Sequence, residues 1–388
     1  MSATTIRKRF GLRAAPFAAA PSTAAPSLAI TGLKPTAVRE PGSGRTWTVV
    51  KLETVSGVSG YGEAPATPDP ETVVTRLKKI EAQLRGHDAL SAVRVDESLK
   101  AAGVEAAARA AINTALMDVL GKTTKSSLTE TLGGRTREKA RAMAVVSGDS
   151  LAELNRGIAQ AKAAGHLAFS VPLKMPEGPE RGRAFYKQVR EMMDALRDAA
   201  GADTDFVLDC GGQTTPGEGL SIADRLQDFH LLWLDEPAGD LSDQSLAEIS
   251  ARTVTPVGYG RDIVENGRFQ DLLRQDAIDV LRPDIAKNGV TTIRKAAALA
   301  ETYYVAVAPY HRGGPISTAA GIHIAASLPN SFIQEVPFSA DPADRRMRSE
   351  IAGGWDEKPV EGFFTLPTRP GLGIEVDDSA IAKYAVKA

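Results

Sequence analysis

The chain has 388 residues, 43% hydrophobic and 24% charged, an ordinary globular composition that excludes a disordered, collagen-like or coiled-coil protein. At about 150 residues per domain, this length means two domains or one large α/β domain, with enough chain to bury a core unaided. The 46 Lys plus Arg against 48 Asp plus Glu argue against a nucleic-acid partner, no apolar run is long enough for a membrane span, and the single cysteine, Cys210, excludes a disulfide framework and a cysteine zinc site.

Residues 1–27 carry basic Arg7-Lys8-Arg9 and then an Ala/Pro-rich stretch. They read either as an export signal, with small residues at 19–25 for cleavage, or as a disordered tail; Pro16 and Pro21 break the apolar region and favour the tail. A cytoplasmic protein is expected on the second reading, a periplasmic one on the first. From Leu28 the pattern is strand-like, and the β-branched alternation over 46–54 predicts a strand. Gly57 and Gly60 predict tight turns before Tyr61-Gly62-Glu63. Residues 70–133 have helical periodicity, as in Val73, Leu77, Ile80 and Leu84, followed by an Ala-rich run over 104–120. The first segment is therefore α+β.

Beyond about residue 140, short apolar runs alternate with amphipathic helical stretches. The runs are 142–146, 167–173, 206–208, 231–234, 254–257, 278–281, 305–307 and 332–333. Eight strands separated by helices predict a parallel α/β barrel; an open doubly wound sheet is the alternative, but no Gly-x-Gly-x-x-Gly follows a first strand.

In such barrels chemistry sits at the C-terminal ends of the strands. There the chain places Lys174, Asp209, Asp235 with Glu236, Arg261 with Asp262, Asp284, His311 and Glu335. Each alone suits a helix N-cap or a solvated loop. Together they line one rim, and the neighbouring Asp209 and Asp235 require a compensating cation, for which Mg²⁺ is suited. His311 is the one histidine of five at a strand end; His87, His166, His230 and His323 fall in helical or turn contexts. Cys210 reads as a small buried residue.

These motifs resemble the mandelate racemase/muconate lactonizing enzyme branch of the enolase superfamily. The likeness rests on Ser59-Gly-Tyr-Gly-Glu63, Leu234-Asp-Glu-Pro237, Tyr310-His311 with Gly314-Pro315-Ile316, and the segment Gly362 to Val376. The resemblance implies a (β/α)7β-type TIM barrel with an α+β capping domain formed by N- and C-terminal segments. It divides the chain into a tail (1–27), a cap (28–138), a barrel (139–345) and a segment returning to the cap (346–388). It further implies Asp209, Asp235 and Asp262 as Mg²⁺ ligands, an Asp284–His311 acid/base dyad, Glu335 as a supporting acid, a small carboxylic-acid substrate and a homo-oligomer. The implied reaction is abstraction of a proton next to a carboxylate, as in a lyase that dehydrates a sugar acid. A racemase or epimerase is the alternative within that chemistry, and a non-catalytic binding barrel is a third.

Three departures from the branch stand out. Ser170 and Pro172 occupy the places of its Lys-x-Lys, with Lys174 two residues later on the same face. Arg261 occupies the third-ligand place, so either Asp262 serves by a one-residue shift or the guanidinium pairs with Asp209 and Asp235 instead of a metal. Asp209-Cys210-Gly211 stands where the branch has Asp-Ala-Asn, so a polar partner after Asp209 is missing. Specificity is expected from residues 31–45, read either as a mobile flap carrying Lys34, Arg39 and Arg45 or as an ordinary hairpin.

Overall fold

The computed structural model describes residues 28–176, 181–239, 242–264 and 266–386; the tail over 1–27 lies outside them. Strands β1 (Ile30–Arg39), β2 (Thr46–Thr54) and β3 (Ser59–Ala64) form an antiparallel meander. The segment 31–45 is a hairpin, since β1 and β2 pair without a break from Gly32↔Glu53 to Arg39↔Thr46. Helices α1 (Pro70–Leu84), α2 (Ala92–Ala101), α3 (Ala106–Thr124) and α4 (Leu128–Thr131) follow. Gly60 lies within β3 rather than in a turn. A Cβ at Gly60 would sit 2.0 Å from the Ala115 carbonyl oxygen, and one at Gly62 would sit 2.0 Å from that of Ala111. The Gly-Tyr-Gly pattern is thus set by the close approach of the Ala-rich α3 to β3.

The next elements alternate: β4 (Lys139–Val145), α5 (Leu151–Ala163), β5 (Ala168–Pro172), α6 (Arg183–Ala200), β6 (Asp205–Asp209), α7 (Pro216–Arg225), β7 (Trp233–Asp235), α8 (Asp243–Arg252), β8 (Val257–Tyr259), α9 (Asn266–Arg274), β9 (Val280–Leu281), α10 (Ile285–Glu301), β10 (Ala306–Val307), α11 (Pro315–Ser327) and β11 (Gln334–Pro337). The eight strands form one curled parallel sheet in the order β10-β9-β8-β7-β6-β5-β4-β11. A parallel bridge between Val307 and Ser331 joins its two ends. All eight expected strands are present, with two shifts. The fifth begins at Val257, after Pro256, which has no N–H to give the ladder. The eighth runs over 334–337, so Glu335 lies inside the strand and not beyond it.

Strand periodicity sets the interior. Met143, Ala168, Val207, Trp233, Val280, Ala308 and Ile333 pack together as one buried layer. Two residues further along the same faces come Val145, Ser170, Asp209, Asp235, Arg282, Tyr310 and Glu335, which form the mouth. After α12 (Pro342–Ile351), β12 (Phe363–Thr365) pairs antiparallel with β4. The chain then returns to the antiparallel sheet. Buried Asp118 of α3 accepts from the backbone N–H groups of Tyr61 (3.0 Å) and Leu372 (2.9 Å), and beyond α13 (Asp378–Lys383) Val386 donates to the Ala37 carbonyl. Among the described residues no helix is long and apolar enough to cross a membrane.

One contact fixes the meander to the barrel. Helix α11 has no side-chain cap of its own. Glu63 of β3 supplies it, accepting from the N–H groups of Gly314 (2.9 Å), Ile316 (3.2 Å) and Ser317 (3.0 Å). The carboxylate is buried and sits at the positive end of the helix dipole. Burial pushes its pKa up, against the pull of these donors and of Arg348. Replacing it by alanine leaves three buried donors unmet, so Glu63→Ala is expected to lose about 2–4 kcal/mol of stability. Chemical denaturation checks this; an unchanged midpoint would remove the joint from the account.

Candidate functional site

The mouth gathers four carboxylates, and arginines neutralise them. Asp209 ends β6, half buried. Its Oδ2 accepts from Arg261 Nη1 (3.0 Å) and Arg312 Nη2 (3.3 Å); its Oδ1 accepts from Arg261 Nη2 (3.1 Å) and the Gly211 N–H (2.9 Å). Burial works against ionisation of Asp209, yet the Arg261 and Arg312 guanidinia hold its pKa below the usual value. Asp235 ends β7 beside it, fully buried. Its Oδ1 accepts from Trp233 Nε1 (2.8 Å) and Arg282 Nε (2.9 Å). Arg282 also donates to the Ala308 carbonyl (2.6 Å) and pairs with Glu335, while its guanidinium lies 5.0 Å from the Trp233 ring centre.

Glu236 adopts a left-handed backbone (φ 47°) that turns its carboxylate toward the end of β8. There Oε1 accepts from the backbone N–H groups of Gly260 (2.9 Å) and Arg261 (3.1 Å). Burial, then the charge on Asp235, raise its pKa to about 7.

The structure brings together Asp209 and Asp235 but not the other proposed ligand. Asp262 points outward, its side chain 80% exposed, and binds Lys287 at 2.5 Å. Lys174 lies beyond the end of β5 at Pro172, where strand alternation no longer applies, and its side chain, 38% exposed, is 3.4 Å from Asp149 and not in contact with Asp209 or Asp235. Asp284 and His311 are both buried but do not form a dyad. Asp284 caps α10 through the Ala286 N–H (2.8 Å), and burial raises its pKa to about 7. His311 Nδ1 accepts from the Gly313 N–H (3.2 Å), which leaves the proton on Nε2, facing Thr318 Oγ1 at 2.9 Å. Burial, followed by the charges of Arg348, Arg45 and Arg312, drives its pKa well down, so the ring is neutral. Glu335 does sit in the mouth, held by Arg282.

These donors do not fit the divalent cation that the resemblance implies. The four acceptor directions of Asp209 are all taken, Asp235 is committed to Arg282 and Trp233, and Asp262 faces solvent. Among the described residues no group of three or more His, Cys, Asp or Glu is placed to hold a metal ion. Sequence reasoning missed Arg282, Arg312 and Tyr310 as parts of the mouth. Arg282 was detectable, since Val280, Arg282 and Asp284 share one strand face.

Beside Asp209 lies a cavity of 250 Å³ between the hairpin connection and the barrel, lined by Ser147, Ser170, Asp209 and two arginines, Arg45 and Arg312. That is slightly below the roughly 300–1,000 Å³ of ligand pockets in general, a size for a small metabolite. Arg45 enters it from the hairpin, held by Glu40 at 2.8 and 3.0 Å. Arg348 of α12 grips the same Glu40 (3.1 Å) and the Gly313 carbonyl (3.0 Å), next to Arg312. Asp344 of α12 meanwhile accepts from the N–H groups of Gly42 (2.6 Å) and Ser43 (3.0 Å). The hairpin connection is thus latched onto the barrel.

Residues 155–380 match the model of the enolase C-terminal domain-like family, and residues 36–133 match that of the mandelate racemase/muconate lactonizing enzyme N-terminal domain. The D-xylonate dehydratase of Haloferax volcanii is 27% identical over 368 residues, covering 88% of this chain and 86% of that protein. A mandelate racemase/muconate lactonizing enzyme-like protein of Rubrobacter xylanophilus superposes with a TM-score of 0.84 at 24% identity, over 93% of this chain and 98% of its own. One from Roseovarius gives a TM-score of 0.84 at 23% identity, over 93% and 96%.

The raised pKa of Asp284 has a sign that can be tested. Its folded value of about 7 lies above the roughly 3.9 of an unfolded aspartate, so the folded state holds the proton more tightly. The stability it contributes is present at low pH and is lost as the pH rises from about 4 to about 7, by a few kcal/mol at most. Asp284→Asn keeps a capping side chain and cannot ionise. Its stability is expected to fall less steeply over that window than the wild type's in denaturation at a series of pH values; parallel curves would mean that Asp284 carries no such penalty.

Proposed function

Since the chain belongs to the mandelate racemase/muconate lactonizing enzyme branch of the enolase superfamily, we propose that its barrel mouth recognises a small hydroxylated carboxylic acid of the sugar-acid class. The observation that carries this reading is the cavity where Arg45 and Arg312 converge. A guanidinium is a fork of fixed N–H donors that matches a carboxylate. Ser147 and Ser170 line the same space, and their hydroxyls suit a polyol chain.

A second reading, dehydration of that acid, is favoured by the 27% identity to the D-xylonate dehydratase along most of the chain. Dehydration removes the proton beside the carboxylate and the hydroxyl on the next carbon as water, leaving an enol that becomes a keto acid. The groups available for the proton are Asp284 and neutral His311, and both would have to turn toward the cavity.

Calorimetric titration with five- and six-carbon sugar acids tests the first reading, and incubation in D₂O tests the second. Binding of at least one acid is expected, weakened about tenfold or more in Arg45→Gln and in Arg312→Gln, the size of a lost hydrogen bond to a charged group. Binding that ignores both substitutions would place the ligand elsewhere. Deuterium incorporation with release of a keto acid identifies the dehydratase; binding with neither identifies a recognition barrel without turnover.

A further inference from the structure

Arg261 stands at the centre of the mouth's acidic half. It follows Gly260 at the end of β8, and its side chain is only 12% exposed. One edge of the guanidinium makes a two-point contact with Asp209 at 3.0 and 3.1 Å, and Nε lies 3.8 Å from Glu236 Oε1. The ring of Tyr310 lies 5.3 Å from its carbon. The left-handed backbone of Glu236 and the two N–H groups at 260 and 261 direct that carboxylate toward the same place. Two carboxylates from neighbouring strands therefore face one another across a guanidinium, and a third, on Asp235, lies behind them.

We propose that Arg261 is a built-in cation. It occupies the position between Asp209 and Glu236 that an exchangeable divalent ion would otherwise take, so the wild-type mouth holds no divalent-cation site. Removing the side chain turns Asp209 and Glu236 into one. The pairing supports this in two ways. Every acceptor direction of Asp209 is filled while Arg261 is present, so an incoming ion has no free oxygen lone pair there. An ion cannot displace the guanidinium either without leaving that permanent charge unpaired in a largely buried site. Hard divalent ions bind carboxylate oxygens and keep several waters, so two carboxylates are enough for an ion once the space is vacated.

The test measures the metal directly and does not depend on which acid the cavity takes. Mn²⁺ is titrated into the full chain and followed by the loss of the free-ion electron paramagnetic resonance signal. The proteins are the wild type, Asp209→Asn, Arg261→Ala, Arg261→Gln as a bulkier neutral replacement, and Arg261→Ala combined with Asp209→Asn. The wild type is expected to bind no ion up to about millimolar concentration, and at least one of the two Arg261 variants to bind about tenfold or more tighter than that limit. The double variant is expected to lose the gain. Saturable wild-type binding that Asp209→Asn abolishes would overturn the proposal. So would the absence of any gain in folded Arg261→Ala and Arg261→Gln, or a gain that survives Asp209→Asn.

Discussion

Asp209, Asp235, Glu236 and Glu335 converge in the mouth of a parallel barrel, and water can do little to screen the last three, which are buried, or Asp209, whose side chain is 12% exposed. Two unit charges 4 Å apart interact by about 4 kcal/mol at the effective dielectric of a protein interior near its surface. Four uncompensated carboxylates would therefore oppose folding by an amount comparable with the whole stability of a domain. The protein answers with Arg261, Arg282 and Arg312, each fixed by two or more partners. Arg282 is the deepest, bound to Asp235, Glu335 and the Ala308 carbonyl and lying beside Trp233. Removing one member of such a network leaves a buried charge without its partner, typically a loss of 3–5 kcal/mol. The mouth is consequently interlocked, and the positions of its groups follow from charge balance before any ligand is considered.

The same constraint extends across the joint between the antiparallel sheet and the barrel. Glu40 lies between Arg45 and Arg348, fully buried, so the hairpin connection can leave the barrel only by separating these charges. Glu63 places a second carboxylate on the α11 N-terminus. That helix begins directly after the loop that carries His311 and Arg312. The two arginines of the cavity are therefore positioned by one set of contacts, from Arg45 through Glu40 and Arg348 to the Gly313 carbonyl. Their spacing is fixed before an anion arrives, which lowers the ordering cost of binding it.

Much of this fold was legible in the sequence. Parallel strands buried on both faces leave short apolar runs, and all eight are visible between residues 142 and 333. Asp209, Asp235 and Glu335 are recognisable at the mouth because strand alternation makes inward positions countable. The same rule fails at Lys174, where Pro172 ends the strand and the parity with it. His311 illustrates a different limit. Its position after a strand is legible, but the direction of its ring is set by the Gly313 N–H and Thr318, contacts made only once α11 has formed. Arg348 could not be found at all from local pattern, since its partner Glu40 is 308 positions away.

The exchange of a metal ion for a guanidinium also changes what the mouth can do. A divalent ion puts two charges at one point and can take an oxygen of the ligand directly into its shell. A guanidinium spreads one charge over a plane and offers only N–H donors, and the donors of Arg261 toward Asp209 are already used. At equal distance, its Coulomb attraction for a doubly charged enolate is half that of a divalent ion. Its attraction for a singly charged carboxylate is reinforced by the fork geometry of Arg312 and Arg45. Recognition therefore survives the exchange better than stabilisation of an enolate does.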